Sequence, residues 1–238
     1  MSNLDFSKND SSFSSNLRFL YVLFTGFFLG IIFTKTIGWA ILILFTTSTL
    51  TPGIILAVIF IGAIVSAIVS LKKEESRDVV LLYVNLFVVG LVFLMLPHII
   101  EGNDMTLKLS NVLGFGIAFR VNVLTLYMLI IASLLWFMVT LYSHSYMNKK
   151  EKSGGRFYFW FMVAYGGAMG AIMADSLITM FLFFEIMYIS CYFLVAHSAT
   201  PEAIKAGYRY IFMGVVGGLS MLLAVIILHV NTGSFDLM

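Results

Sequence analysis

Residues 176–196 read Ser176-Leu177-Ile178-Thr179-Met180-Phe181-Leu182-Phe183-Phe184-Glu185-Ile186-Met187-Tyr188-Ile189-Ser190-Cys191-Tyr192-Phe193-Leu194-Val195-Ala196, and Glu185 is the one charged residue among them. About 20 apolar residues coil into a helix of about 30 Å, which is the thickness of a bilayer's hydrocarbon core. Glu185 falls close to the midpoint, roughly 14 Å from either interface and too deep to snorkel out. An ionised carboxylate at that depth is expensive, so the group takes a proton, meets a cation or lines a wet cavity. All three outcomes make it a proton or ion site; the alternative is a protonated, hydrogen-bonded acid that serves helix assembly. Tyr188 and Tyr192 follow at i+3 and i+7 and share its face, with Ser190 and Cys191 between them.

The rest of the chain repeats this pattern. Further apolar stretches lie at about 54–71, 79–97, 121–143, 157–173 and 208–230, and nearly all the charge sits between them. Upstream, 1–16 is a polar Ser- and Asn-rich tail, and 17–50 is an extra membrane segment. It is read as one crossing at about 17–36 followed by an interfacial piece, with two short crossings as the alternative. The predicted fold is all-α: a polytopic transmembrane helix bundle of about seven membrane helices, with 51–238 forming a six-helix domain.

Composition agrees. Of 238 residues, 61% are hydrophobic and 11% charged, against roughly 25% charged in soluble domains. A net charge of +2 without a basic stripe argues against nucleic-acid binding. The lone Cys191 excludes an internal disulfide, a four-thiolate zinc site and an iron–sulfur cluster carried by this chain alone. No catalytic chemistry is legible here, so any redox reaction belongs to a partner. The 72–78, 148–156 and 197–207 loops, with Arg209 at the start of the last span, hold nine basic residues, against two in the intervening 98–120 loop and 174–175 turn. The positive-inside rule places the richer set in the cytoplasm, with 54–71 entering from outside a cell (inner, cytoplasmic) membrane.

Thr200-Pro201-Glu202 reads as an N-cap, a proline at the first helical position and an acid in the first turn. A helix starting there puts Lys205 and Arg209 one turn apart on one face, as cationic members of the ion site or as headgroup anchors. His98, His144, His197 and His229 lie at span ends, with no metal-binding i, i+4 pair. Tyr188, His197, His144 and Asp175 are the candidates for a proton relay. Small residues recur four apart, as at Gly166, Gly170 and Ala174, at Gly214 and Gly218, and at Gly62, Ser66 and Ser70, which is read as close helix packing.

Three motifs point to a family. Phe119-Arg120-Val121-Asn122-Val123-Leu124-Thr125 precedes a span that ends Leu141-Tyr142-Ser143-His144-Ser145-Tyr146-Met147. The second motif is Ala174-Asp175-Ser176-Leu177 through Glu185, and the third is Glu202-Ala203-Ile204-Lys205-Ala206-Gly207-Tyr208-Arg209. These resemble the antiporter-like membrane subunits of respiratory complex I, Mrp-type sodium/proton antiporters and membrane-bound hydrogenases, with 54–238 corresponding to their first six helices. The resemblance implies that Glu185 is the fifth-helix glutamate of the ion pathway. Arg209 stands where a lysine is frequent, and Asn122 where an acid is. It also implies about fourteen helices in two inverted repeats, with a seventh-helix lysine paired to the glutamate.

On that basis the expected function is that of a membrane subunit contributing half of a proton or sodium translocation path, coupled to electron transfer or to antiport. A non-conducting structural subunit of the same kind of complex is the alternative. Expected partners are other membrane subunits, among them a chain supplying the C-terminal half, the lipid bilayer, and the transported H+ or Na+. No cofactor is expected on this chain; iron–sulfur or nucleotide cofactors would sit on partner subunits.

Overall fold

The computed structural model describes residues 50–70, 74–112, 115–150, 154–233 and 235. The 1–16 tail and all but the last residue of the 17–50 segment lie outside the described residues, as do Lys72, Lys73 and Lys152. The elements are α1 (Thr51–Ser70), α2 (Glu74–Leu94), a short α3 (Leu96–Ile100), β1 (Met105–Val112), β2 (Phe115–Val121), α4 (Val123–Lys150), α5 (Gly154–Met173), α6 (Leu177–Val195) and α7 (Pro201–Thr232). The six long helices match the six stretches read from the sequence. Among the described residues, five helical stretches are long and apolar enough to cross a membrane, namely Thr51–Ser70, Arg77–Ile100, Val123–Ser143, Leu177–Val195 and Pro201–Thr232. The chain is a multi-pass membrane protein.

α5 is the most enclosed helix, walled chiefly by α1 and α6, and its glycines explain how closely. A β-carbon on Gly166 would stand 2.7 Å from Phe60 of α1, and one on Gly167 would stand 2.7 Å from the Met187 backbone of α6. Without a driving force from water between helices in lipid, this depth of van der Waals contact is what holds them together. Tyr158, Met162, Tyr165, Met169 and Met173 line the inner face of α5 and join Ile55, Ile59, Leu81, Val88, Val92 and Leu129 in the core.

The 98–120 segment, expected as a loop, contains an antiparallel hairpin with Met105 opposite Val121 and Leu107 opposite Phe119. Its strands alternate: Met105, Leu107, Phe119 and Val121 are buried, while Lys108 is exposed. A strand with one face on the core needs that period of two. Asn122 then caps α4, its Oδ1 accepting from the Thr125 N–H at 2.9 Å. Asparagine and aspartate cap equally well, so the amide keeps the cap that an acid at this position would make. Arg77, counted with the 72–78 loop, belongs instead to α2, where it is buried beside Asp78.

Candidate functional site

α6 is anchored at its start. Ser176 is its N-cap, with Oγ accepting from the Thr179 N–H at 3.2 Å. The hairpin grips the same turn. Asp175 N–H donates to the Ala118 carbonyl at 2.8 Å, Ala118 N–H donates to Thr179 Oγ1 at 3.1 Å, and Arg120 Nε lies 3.0 Å from Asp175 Oδ1. Phe119 meets the Phe183 ring edge-on at 5.4 Å. Asp175 therefore acts as a latch between hairpin and helix.

Half-way along α6, three side chains face glycines of α7 in antiparallel order. Tyr192 lies against Gly207, Tyr188 against Gly214 and the Glu185 carboxylate against Gly218. A β-carbon at Gly207 would reach to 3.0 Å of the Tyr192 ring, and one at Gly214 or Gly218 would overlap Tyr188 or Glu185 Oε1. The three glycines lie at i, i+7 and i+11, hence on one stripe of α7. The spacing that reads as helix packing thus also seats the polar row of α6. Tyr188 donates its hydroxyl proton to the Tyr210 carbonyl at 2.7 Å, and the two rings stack at 4.9 Å. Glu185 itself is half-buried.

The remaining expected site residues are placed elsewhere. The N-cap reading of Thr200 holds, since its Oγ1 accepts from the Ala203 N–H at 3.2 Å. Lys205 and Arg209 sit one turn apart and exposed. Arg209 is nine residues from Gly218, roughly two and a half turns, so it occupies the side of α7 turned away from Glu185. Lys205 lies on much the same side. Among the described residues no ion pair joins either to Glu185. His197 follows the far end of α6 with its ring 5.4 Å from that of Phe157. His144 lies within α4, and its side chain is outside the described residues. Asp175 and His197 thus flank opposite ends of α6, each about 15 Å or more along the axis from Glu185. The structure brings Glu185 and Tyr188 together and leaves the other candidates apart.

The arrangement offers a carboxylate at mid-helix, a tyrosine hydroxyl one turn away, and a partner helix too slender at that level to cover them. Such a carboxylate can hold a proton or pair with a cation brought from beyond α7. The sequence reading missed Gly207 as part of this seat, although it is collinear with Gly214 and Gly218.

Residues 174–238 match the family described as NADH:quinone oxidoreductase/Mrp antiporter, TM, and residues 108–158 match NADH-ubiquinone oxidoreductase (complex I), chain 5 N-terminus. The Na(+)/H(+) antiporter subunit A1 of Staphylococcus aureus is 30% identical over 140 residues, covering 58% of this chain and 17% of that relative. The chain therefore spans less than a fifth of the length of such curated relatives. In fold it is similar to a chain of the membrane-bound sulfane sulfur reductase, an archaeal respiratory membrane complex, with a TM-score of 0.70 and 20% identity over 79% of this chain and 39% of that one. It is also similar to a chain of the Mrp complex from Dietzia sp., with a TM-score of 0.66 and 17% identity over 79% of this chain and 35% of that one. The motifs around Arg120, Asp175 and Glu185 lie within these matches, and the helix bundle with its hairpin is the matching fold: over these residues the chain is similar to the antiporter-like membrane subunits of complex I and Mrp antiporters.

Proposed function

We propose that this chain is an ion-translocating membrane subunit in which Glu185 exchanges a proton for a cationic partner during each cycle. The observation that carries the reading is the seat of Glu185: a carboxylate at mid-helix laid on Gly218, with no cation beside it among the described residues. Neighbouring parts of the membrane complex complete the path and supply the cation. The transported ion is H+ or Na+, and the driving reaction is either antiport or electron transfer. In the second case the redox cofactors sit on partner subunits.

Glu185→Gln tests this in the assembled complex reconstituted in sealed vesicles. The amide keeps the size and the hydrogen bonds but removes the charge, so assembly should persist while ion translocation falls at least tenfold, about 1.4 kcal/mol or more at the rate-limiting step. Glu185→Asp keeps the charge with a shorter reach and should retain partial transport. Parental transport by the glutamine variant would leave the chain a structural, anchoring subunit.

A further inference from the structure

Four polar atoms are buried in the interior shared by α2, α4 and α5, and none meets a partner at full hydrogen-bond geometry among the described residues: Arg77 Nη1, Tyr158 Oη, Asn85 Oδ1 and Tyr165 Oη. All four residues are sealed, none more than 1% exposed. They lie at two levels. Arg77 and Asn85 are eight residues apart on α2, and Tyr158 and Tyr165 seven apart on α5, so each pair covers about 11 Å of helix. At the outer level the Arg77 guanidinium lies 4.6 Å over the Tyr158 ring. At mid-depth Asn85 Nδ2 is 3.5 Å from Met162 Sδ, one turn before Tyr165, and donates to the Leu81 carbonyl at 2.9 Å.

α4 runs alongside with a ladder of hydroxyls. Ser143 is a polar neighbour of the Tyr158 hydroxyl, and Trp136 stacks on the Tyr165 ring at 5.1 Å. Ser143, Thr140 and Ser133 donate to carbonyls of their own helix at 3.0, 2.8 and 3.0 Å, which leaves their oxygen lone pairs free to accept. A buried donor or acceptor left dry forfeits its hydration for nothing, and native interiors resolve such sites with ordered water. Each level thus holds donors (Arg77 and Tyr158, then Tyr165) and an acceptor (the Ser143 hydroxyl, then the Asn85 amide oxygen).

We propose that α2, α4 and α5 enclose a hydrated recess, a file of water molecules that runs from Arg77 and Asp78 to Asn85 and Tyr165 at mid-depth. Its occupant is water rather than a metal cation. At its outer end, Arg77 Nε and Nη2 both bind Asp78 Oδ1 at 2.8 Å, so the charge is balanced. Deeper in, the walls named above are hydroxyls, an amide and a thioether, all neutral. The recess is separate from the Glu185 seat, which faces α7, and it stands whether or not Glu185 carries ions.

Hydroxyl-radical footprinting by synchrotron radiolysis tests it on the intact complex in native membranes, because radicals born from bound water label the side chains beside it. Met162, Met169 and Met173 are all fully buried on α5, and only Met162 faces the recess level set by Asn85. Met162 should be oxidised several-fold faster than the other two, and Tyr165→Phe, which removes one water ligand, should slow it without raising the thermal midpoint. Equal rates for the three methionines would overturn the proposal. So would a raised midpoint in Tyr165→Phe, the sign expected when a dry, orphaned hydroxyl is deleted.

Discussion

α5 and α7 are both glycine-bearing apolar helices, and they meet opposite surroundings. α5, 20 residues long, is wedged between α1 and α6, with Gly166 closing on one neighbour and Gly167 and Gly170 on the other. α7, 32 residues long, buries only Gly207 and Val225; its glycine stripe faces α6, and the rest of its circumference carries large apolar side chains such as Phe212, Met213 and Val230 that are more than 70% exposed. Glycines on two faces mark a helix inside a bundle. Glycines on one face beside bare aliphatics mark a helix at a border, with lipid or further protein beyond it. Glu185 lies on the bundle side of that border, one helix from whatever covers α7, and this is where a charge that must meet a partner's cation would be placed.

The contrast can be broken at either helix. The largest effect is expected inside: Gly167→Leu would drive a side chain into the Met187 backbone, which cannot step aside as a flexible side chain can. Folded protein in the membrane should be lost, and parental yields would show that α5 is not tightly walled. Gly218→Leu should be milder for folding and severe for function. Its β-carbon displaces the Glu185 carboxylate, so the complex should assemble while vesicle transport falls at least tenfold. Retained transport would mean that the seat of Glu185 is incidental.

On the outer side, Phe212→Ala combined with Met213→Ala removes two of the barest side chains of α7. The chain should remain folded but co-purify with less of its neighbouring subunits; undiminished co-purification would assign that face to lipid. The smallest effect concerns the latch. Asp175→Asn weakens the pair with Arg120 and should lower stability by about 1–2 kcal/mol, read as a lower thermal midpoint, while transport per assembled complex changes little. A large transport loss at an unchanged midpoint would restore Asp175 to a proton relay.

How much of this could be read beforehand depended on how local the signal was. Glu185 was legible because a lone charge in an apolar run is costly wherever the neighbouring helices lie. The Thr200-Pro201 start of α7 was legible because capping is decided within four residues. The hairpin was not legible: the alternation in Met105-Thr106-Leu107-Lys108-Leu109 is a strand signal but a short one, set in a charge-bearing loop. Arg77 was misassigned because a charge next to a lysine-rich loop looks solvated, and only packing shows that Tyr158 and Asp78 enclose it. Asn85, a lone amide in the 79–97 run, could have been flagged by the argument that found Glu185. That Lys205 and Arg209 point away from Glu185 follows from helix phase once Gly218 is known to be its contact, and the sequence does not identify that contact.

The central claim is that Glu185 changes its protonation during turnover. Infrared difference spectroscopy of the complex in membranes, before and during turnover, observes it directly through the C=O stretch of a protonated carboxyl group. A carboxyl band that appears or vanishes with turnover, shifts in D2O and is missing from the Glu185→Gln complex is the predicted result. A turnover spectrum whose carboxyl region is the same in the parental and Glu185→Gln complexes would contradict the account.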